Sequence, residues 1–260
     1  MNRILFSILS FLIHFIKRKD EHSLHSPFLF DFYNKTIKLK KQFVSKELEN
    51  ERLFLFSSKK QVTLSQLGAK TKSFNSSSTI GKVAKSSLSD IQQTAFLGAM
   101  VAYLQPKTIL ELGTSFGIST CYLKKHTPNG HIITLEGNES IAQNADERFR
   151  KLGLKNIQLI KGNFDNTLSE AISTLSSLDF VFFDGNHRYE PTMQYFNICL
   201  AKSTEESAFV FHDIYWSKGM AKAWNEIKKH PKVTISIDLY YFGIVFFRTN
   251  QPKQDFILKF

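Results

Sequence analysis

With 260 residues and 42% hydrophobic content, the chain is long enough for one large α/β domain with an appendage and too apolar for the disordered classes. Its net charge of +11 is uneven, because residues 1–90 hold 16 Lys and Arg against 7 Asp and Glu, and residues 91–260 hold 18 against 16. The two cysteines, Cys121 and Cys199, show no metal spacing, which excludes a disulfide scaffold or zinc module and suggests a reduced, cytoplasmic compartment.

Residues 4–16 are strongly apolar and are followed by Lys17, Arg18 and Lys19. Only Arg3 precedes them as a charge, no small-residue cleavage site follows, and the run falls short of the roughly 20 residues of a spanning helix. Ser7, Ser10 and His14 recur at helical spacing and give the segment one polar edge. Such a helix docks on the rest of the protein or on a second subunit, or lies in a membrane interface with residues 3–19 against lipid headgroups. Docking is the favoured reading. Ser26 and Pro27 suit the start of a second helix, whose Phe28, Phe30, Phe32 and Tyr33 are too many for a solvent face. His22 and His25 lie three apart with no further ligand type, which fits a structural role. Residues 35–60, lysine-rich with interspersed Phe and Leu, read as surface helix. The serine-rich stretch 67–78 reads as a linker or as a lid over bound substrate. Residues 80–104 read as one helix that Pro106 stops. On this reading residues 1–79 form an N-terminal helical extension and residues 80–260 the main domain.

Residues 108–120, TILELGTSFGIST, read as a buried strand, a turn punctuated by Gly113 and Gly117, and a helix. The dinucleotide fingerprint G-x-G-x-x-G lacks its middle glycine here, and Glu111 would repel a pyrophosphate. A ligand carrying positive charge fits better. From here strands at 108–113, 131–136, 157–162, 178–184 and 207–212 alternate with helices, so a parallel sheet covered on both faces is expected. Runs at 233–240 and 243–248 close it with an antiparallel pair. Ligands of such sheets bind at the carboxyl ends of the strands. There Glu136 stands about 20 residues past the glycine turn, where a carboxylate takes ribose hydroxyls, or else caps the helix that starts near Glu139. Asp184 and His187 follow the fourth strand, and His212 and Asp213 end the fifth. Asp184 and Asp213 are thereby placed within reach of one hard divalent cation.

The pattern E-L-G-x-x-x-G-x-S at residues 111–119 resembles the first motif of class I S-adenosylmethionine-dependent methyltransferases. DGNHRYE at 184–190 and FHDIYWSKG at 211–219 resemble a bacterial branch with D-G-x-H-x-Y and H-D motifs, related to the catechol and caffeoyl-CoA O-methyltransferases. The resemblance covers about residues 80–248. It implies a Rossmann-like seven-stranded methyltransferase sheet with an antiparallel C-terminal hairpin. It implies S-adenosylmethionine as cofactor, bound by Glu111, Gly113, Phe116, Gly117, Ser119, Glu136, Asn163 and Asp184, with Phe164 packing beside it, and methylation of a small-molecule hydroxyl. A divalent metal, Mg²⁺ or a softer ion, is implied at Asp184, His212 and Asp213. Here His212 replaces the family's second Asp and Asp213 its Asn, and imidazole suits transition metals. His187 stands where the catechol enzymes carry a lysine base, and its ordinary pKa of roughly 6.5 suits that role. Asp184 is its catalytic partner and His212 the rival base. Tyr215 and Trp216 are expected to wall the acceptor pocket or simply to pack. The apolar tail 256–260 suggests a homodimer. Two rival readings are a non-catalytic membrane-surface or partner-binding protein and an RNA methyltransferase. The second is disfavoured because no N-P-P-Y-type tetrapeptide follows the fourth strand and no RNA-binding module is recognisable.

Overall fold

The computed structural model describes residues 3–64, 76–249 and 251–260. Helices α1 (Arg3–Lys17) and α2 (Pro27–Phe32), a π-helical turn (Tyr33–Lys38) and α3 (Lys46–Ser57) precede the short strands β1 (Gln61–Leu64) and β2 (Ser76–Thr79). Then come α4 (Ile80–Ser87), α5 (Ile91–Leu104), β3 (Thr108–Leu112), α6 (Ile118–His126), β4 (His131–Glu136), α7 (Glu139–Lys151), β5 (Ile157–Lys161) and α8 (Phe164–Ala171). The remainder is β6 (Phe180–Phe183), α9 (Tyr189–Leu200), β7 (Ala208–His212), α10 (Lys218–Lys229), β8 (Ile235–Asp238), β9 (Phe242–Phe246) and β10 (Gln254–Ile257). The chain forms two compact units, one of residues 31–171 and one of residues 1–30 with 172–260.

In the 31–171 unit, β3, β4 and β5 pair in parallel, with Ile109 opposite Ile132 and Ile133 opposite Gln158. Parallel strands need crossover helices, and α6 and α7 supply them. The stretch 80–104 is two helices rather than the single one expected. Asp90 ends the continuity by accepting the Gln93 N–H at 2.8 Å, while the Gln93 side chain accepts the Asp90 N–H at 3.1 Å. That reciprocal cap is worth about 1 kcal/mol and restarts the chain as α5. Buried Arg52 from α3 steadies the break, donating to Thr94 Oγ1 at 2.9 Å and to the Ser89 carbonyl while paired with Glu49. Residues 76–78, read as the end of a loop, instead belong to β2, which pairs antiparallel with β1. Residues 65–75, the greater part of the expected lid, lie outside the described residues.

In the other unit the strand order is β10-β8-β9-β7-β6. β6 and β7 run parallel, β9 runs antiparallel to both β7 and β8, and the expected C-terminal antiparallel pair is present. β6, β7 and β9 are buried along their whole lengths, which is why they read as unbroken apolar runs rather than alternating ones. Phe183 stacks on Phe211 with centroids 4.4 Å apart. The tail is not a free apolar surface: it forms β10, parallel to β8, and Leu258 bridges to Lys19.

Helix α1 docks on this unit by its polar edge. Its buried residues are Ser10 and His14. Ser7 Oγ lies 2.9 Å from the Tyr240 hydroxyl, and His14 Nε2 lies 3.2 Å from the Asp238 carbonyl. The Asp238 carboxylate, 1% exposed, accepts from the Tyr215 hydroxyl at 2.6 Å, Trp224 Nε1 at 3.1 Å and the Tyr240 N–H at 3.0 Å. A buried carboxylate is tolerated only when donors replace its water, and here they come from three separate elements.

Candidate functional site

The 31–171 unit carries the turn that follows β3. Gly113 has φ +109 and Ser115 has φ +47. Ser115 occupies the place of the missing middle glycine and adopts the left-handed conformation that glycine would supply. The Gly113 and Thr114 N–H groups both donate to the Leu135 carbonyl, at 3.0 and 3.1 Å. Glu136 closes the turn by accepting the Ser115 N–H at 2.8 Å and the Asn138 N–H at 2.9 Å. The helix-capping alternative for Glu136 falls to Asn138, whose side chain accepts the Ile141 N–H. The two N–H bonds to Glu136, one to each carboxylate oxygen, fix the orientation of its side chain at the end of β4. Asn138 also donates to the Thr63 carbonyl at 3.0 Å, which joins β1 to the same strand end. Asn163 accepts the Asp165 N–H at 3.2 Å, a local turn bond.

Glu111 lies behind this surface. It is fully buried and accepts from the hydroxyls of Ser119 at 2.6 Å, Thr134 at 2.7 Å and Thr120. Its carboxyl oxygens tie β3, β4 and α6 to one another from inside. Phe116 is likewise fully buried, and a Cβ on Gly117 would come within 2.6 Å of the Phe149 ring. Of the eight residues expected to hold a cofactor, Gly113, Glu136, Asn163 and Asp184 are partly exposed, while Glu111, Phe116, Gly117 and Ser119 are buried. The turn exposes two hydroxyls that sequence reasoning passed over: Ser87 and Ser115 face each other at 3.0 Å. Ser115 was findable, since a missing glycine in a turn marks where a left-handed residue must stand. The first turn of α6 receives no side-chain cap from Gly117, leaving a helix N-terminus suited to an anionic group.

In the other unit, Asp184, His187, His212, Asp213 and Trp216 cluster at the ends of β6 and β7. His212 Nδ1 is 2.7 Å from Asp184 Oδ1, and His187 Nε2 is 3.7 Å from the same oxygen. The His187 ring lies 6.3 Å from that of His212 and 6.2 Å from that of Trp216. His187 keeps 18% of its side chain exposed against 10% for His212. Asp184 and Asp213, the two carboxylates expected to share a cation, lie on either side of the His212 ring. Asp213 Oδ1 lies 4.0 Å from His212 Nε2, across the imidazole from Asp184. Oxygen-ligated ions need donors converging at about 2.0–2.6 Å. Among the described residues no three His, Cys, Asp or Glu side chains are arranged to hold a metal.

Strain concentrates in these turns: Asn186 at φ +54, Asp213 at +56 and Tyr240 at +69. Left-handed non-glycine residues cost on the order of 1–3 kcal/mol each and collect at functional sites. The Asp213 turn is held by its N–H bond to the Tyr241 carbonyl at 2.8 Å. A cavity of about 500 Å³ opens beside it, walled by Asp213, Tyr215 and Trp216 and by Tyr240 and Tyr241. Helix α1 adds Ser7, Ile8, Phe11 and Leu12 to its lining. Burial, and then the neighbouring Asp238 charge, push the Tyr215 phenol well above its usual range, so Tyr215 is a donor there and not a base.

Residues 110–214 match the family model described as a methyltransferase domain. A catechol O-methyltransferase from Niastella koreensis is 30% identical over 125 residues, 47% of this chain and 56% of that protein, so the match spans about half of the relative's length. Among solved structures, the Bacillus cereus O-methyltransferase in complex with SAH is similar with TM-score 0.58 at 17% identity, over 83% of this chain and 99% of that one. The Streptomyces achromogenes O-methyltransferase TomG, in complex with SAM, is similar with TM-score 0.54 at 19% identity, over 62% of this chain and 82% of that one. Residues 110–214 are thus similar to a methyltransferase domain, and the chain has the Rossmann-like α/β fold of these O-methyltransferase structures.

Proposed function

We propose that the protein is an S-adenosylmethionine-dependent O-methyltransferase acting on a small-molecule hydroxyl without a metal. The observation that carries the reading is the Glu136 carboxylate, fixed by the Ser115 and Asn138 N–H groups at the end of β4, where it can accept both ribose hydroxyls. The uncapped start of α6 takes the cofactor's carboxylate, and the partly exposed Gly113 and Asn163 line the same surface. Glu111, Phe116, Gly117 and Ser119 act indirectly, by shaping the turn. When bound, the cofactor supplies an electrophilic methyl group.

The acceptor's proton is taken by His187. A base must be reachable and oriented. His187 is the more exposed histidine of the cluster, and Asp184 lies beside it. Asp184 is itself pinned by His212 at 2.7 Å and stabilises the imidazolium that forms. His212 is thus a positioning residue rather than a metal ligand. The cavity beside Asp213 and Trp216 receives the acceptor. The experiment is methyl transfer from labelled S-adenosylmethionine to a panel of small catechols and phenols, with and without EDTA. Labelled ether product that survives chelation is expected. Product formed only with added Mg²⁺ would return the metal to the mechanism, and label appearing in RNA instead would favour the rival substrate class.

A further inference from the structure

We infer that α1 is an interfacial anchor that seats the protein on an anionic lipid bilayer. The helix is turned inside out for a soluble protein. Its buried side chains are the polar Ser10 and His14, while nine large apolar side chains point to water, among them Ile4 at 63%, Ile13 at 53% and Ile16 at 81% exposed. At 3.6 residues per turn those nine cover about 200° of the helix circumference. A seam for a partner helix needs a stripe of about 100°. An arc twice as wide on a convex helix is matched by a surrounding apolar medium rather than by one protein face.

The flanking charge has the matching sign. Arg3 precedes the arc and Lys17, Arg18 and Lys19 follow it, against Asp20 and Glu21. Arg3 lies over the Trp216 ring at 4.2 Å and Arg18 over Phe15 at 4.0 Å, an aromatic and basic border of the kind found at headgroup depth. Two copies facing each other here would oppose their own basic clusters, whereas anionic headgroups complement them. At 15 residues the helix is about 22 Å long, short of the roughly 30 Å hydrocarbon core. It lies along the surface. Ile8, Phe11 and Leu12 belong both to the exposed arc and to the lining of the cavity beside Asp213. On the methyl-transfer reading, which the anchoring extends, bound lipid would therefore border the acceptor cavity.

The test is flotation of the full chain with unilamellar vesicles of phosphatidylcholine alone or mixed with phosphatidylglycerol. The wild type is expected to float with the anionic vesicles at least tenfold more than with the neutral ones. Leu5→Ser, Leu9→Ser, Ile13→Ser and Ile16→Ser together change side chains that already face water and do not line the cavity. That variant should lose flotation with an unchanged Tm. Lys17→Glu, Arg18→Glu and Lys19→Glu together should abolish the anionic preference. Wild-type protein that stays in the lipid-free fraction would overturn the inference. So would a lipid-free dimer, seen by light scattering, that the serine variant dissociates. Binding of S-adenosylhomocysteine is measured on the same samples: its absence with flotation intact counts against the methyl-transfer reading alone.

Discussion

Replacing Asp238 by Asn tests how α1 and the hairpin are held. The carboxylate is 1% exposed and serves the Tyr215 hydroxyl and the Trp224 indole through Oδ2, and the Tyr240 N–H through Oδ1. An amide group keeps only one oxygen. With its NH₂ at the Oδ2 position it confronts two donors. The tyrosine hydroxyl can turn and accept, but the indole can only donate. With the amide flipped, the Tyr240 N–H is stranded instead. Either way one buried donor loses its partner, which costs about 1–3 kcal/mol, and the loss of charge from the remaining bonds adds about 1 kcal/mol. A total near 3 kcal/mol corresponds to a Tm lowered by about 6–12 °C for a chain of this size. Differential scanning calorimetry of wild type and variant at one pH measures it. A Tm within about 1 °C of wild type would refute the claim that Asp238 is the buried hub of this unit.

Four other outcomes are expected. Glu136→Ala should weaken S-adenosylhomocysteine binding about 100-fold or more, from two lost charge-assisted hydroxyl bonds at about 1.5–3 kcal/mol each; a change under about threefold by calorimetry would remove Glu136 from the ribose. His187→Ala should lower kcat by about 10²–10⁴ with little change in cofactor affinity, whereas His212→Ala should also shift the pH profile by releasing Asp184; equal rates in wild type and His187→Ala would dismiss the base. Gly243→Ala should destabilise the fold by about 1–3 kcal/mol, because a Cβ there would come within 2.7 Å of the Trp224 ring; urea unfolding checks it. Burial lowers the pKa of both His126 and His230 below 6.5. The unfolded chain therefore binds more protons as the pH drops, and their contribution is complete above about pH 6.5 and is lost progressively below it. Urea midpoints at pH 7.5 and pH 5 should show this loss, and a flat profile would contradict it.

The strand-and-helix alternation from residue 108 onward was legible because apolar runs such as FVFF and FGIVF have no other stable home than a sheet covered on both faces. The place of Glu136 at the end of β4 was legible from its distance past the turn. Glu111 was not: its place before the glycine suggested a ligand-facing charge, yet three hydroxyls from Ser119, Thr120 and Thr134 enclose it, and hydroxyl partners carry no signature in sequence. The break at Asp90 was missed because the apolar period runs through it, and only the local Asp90–Gln93 exchange reveals it. The two carboxylates at 184 and 213 lie near each other, as the topology required, but the imidazole lying across from one to the other depends on side-chain directions that a sequence pattern does not specify. The polar edge of α1 predicted an amphipathic helix and did not predict that this edge would face inward.

The central claim, a cofactor surface built on the β3 turn and Glu136, is tested most directly by calorimetric titration of the full chain with S-adenosylmethionine. Saturable binding of one molecule per chain, competed by S-adenosylhomocysteine and unaffected by EDTA, is the predicted result. A folded protein that releases no heat, and shows no rise in Tm at millimolar S-adenosylmethionine, would contradict it.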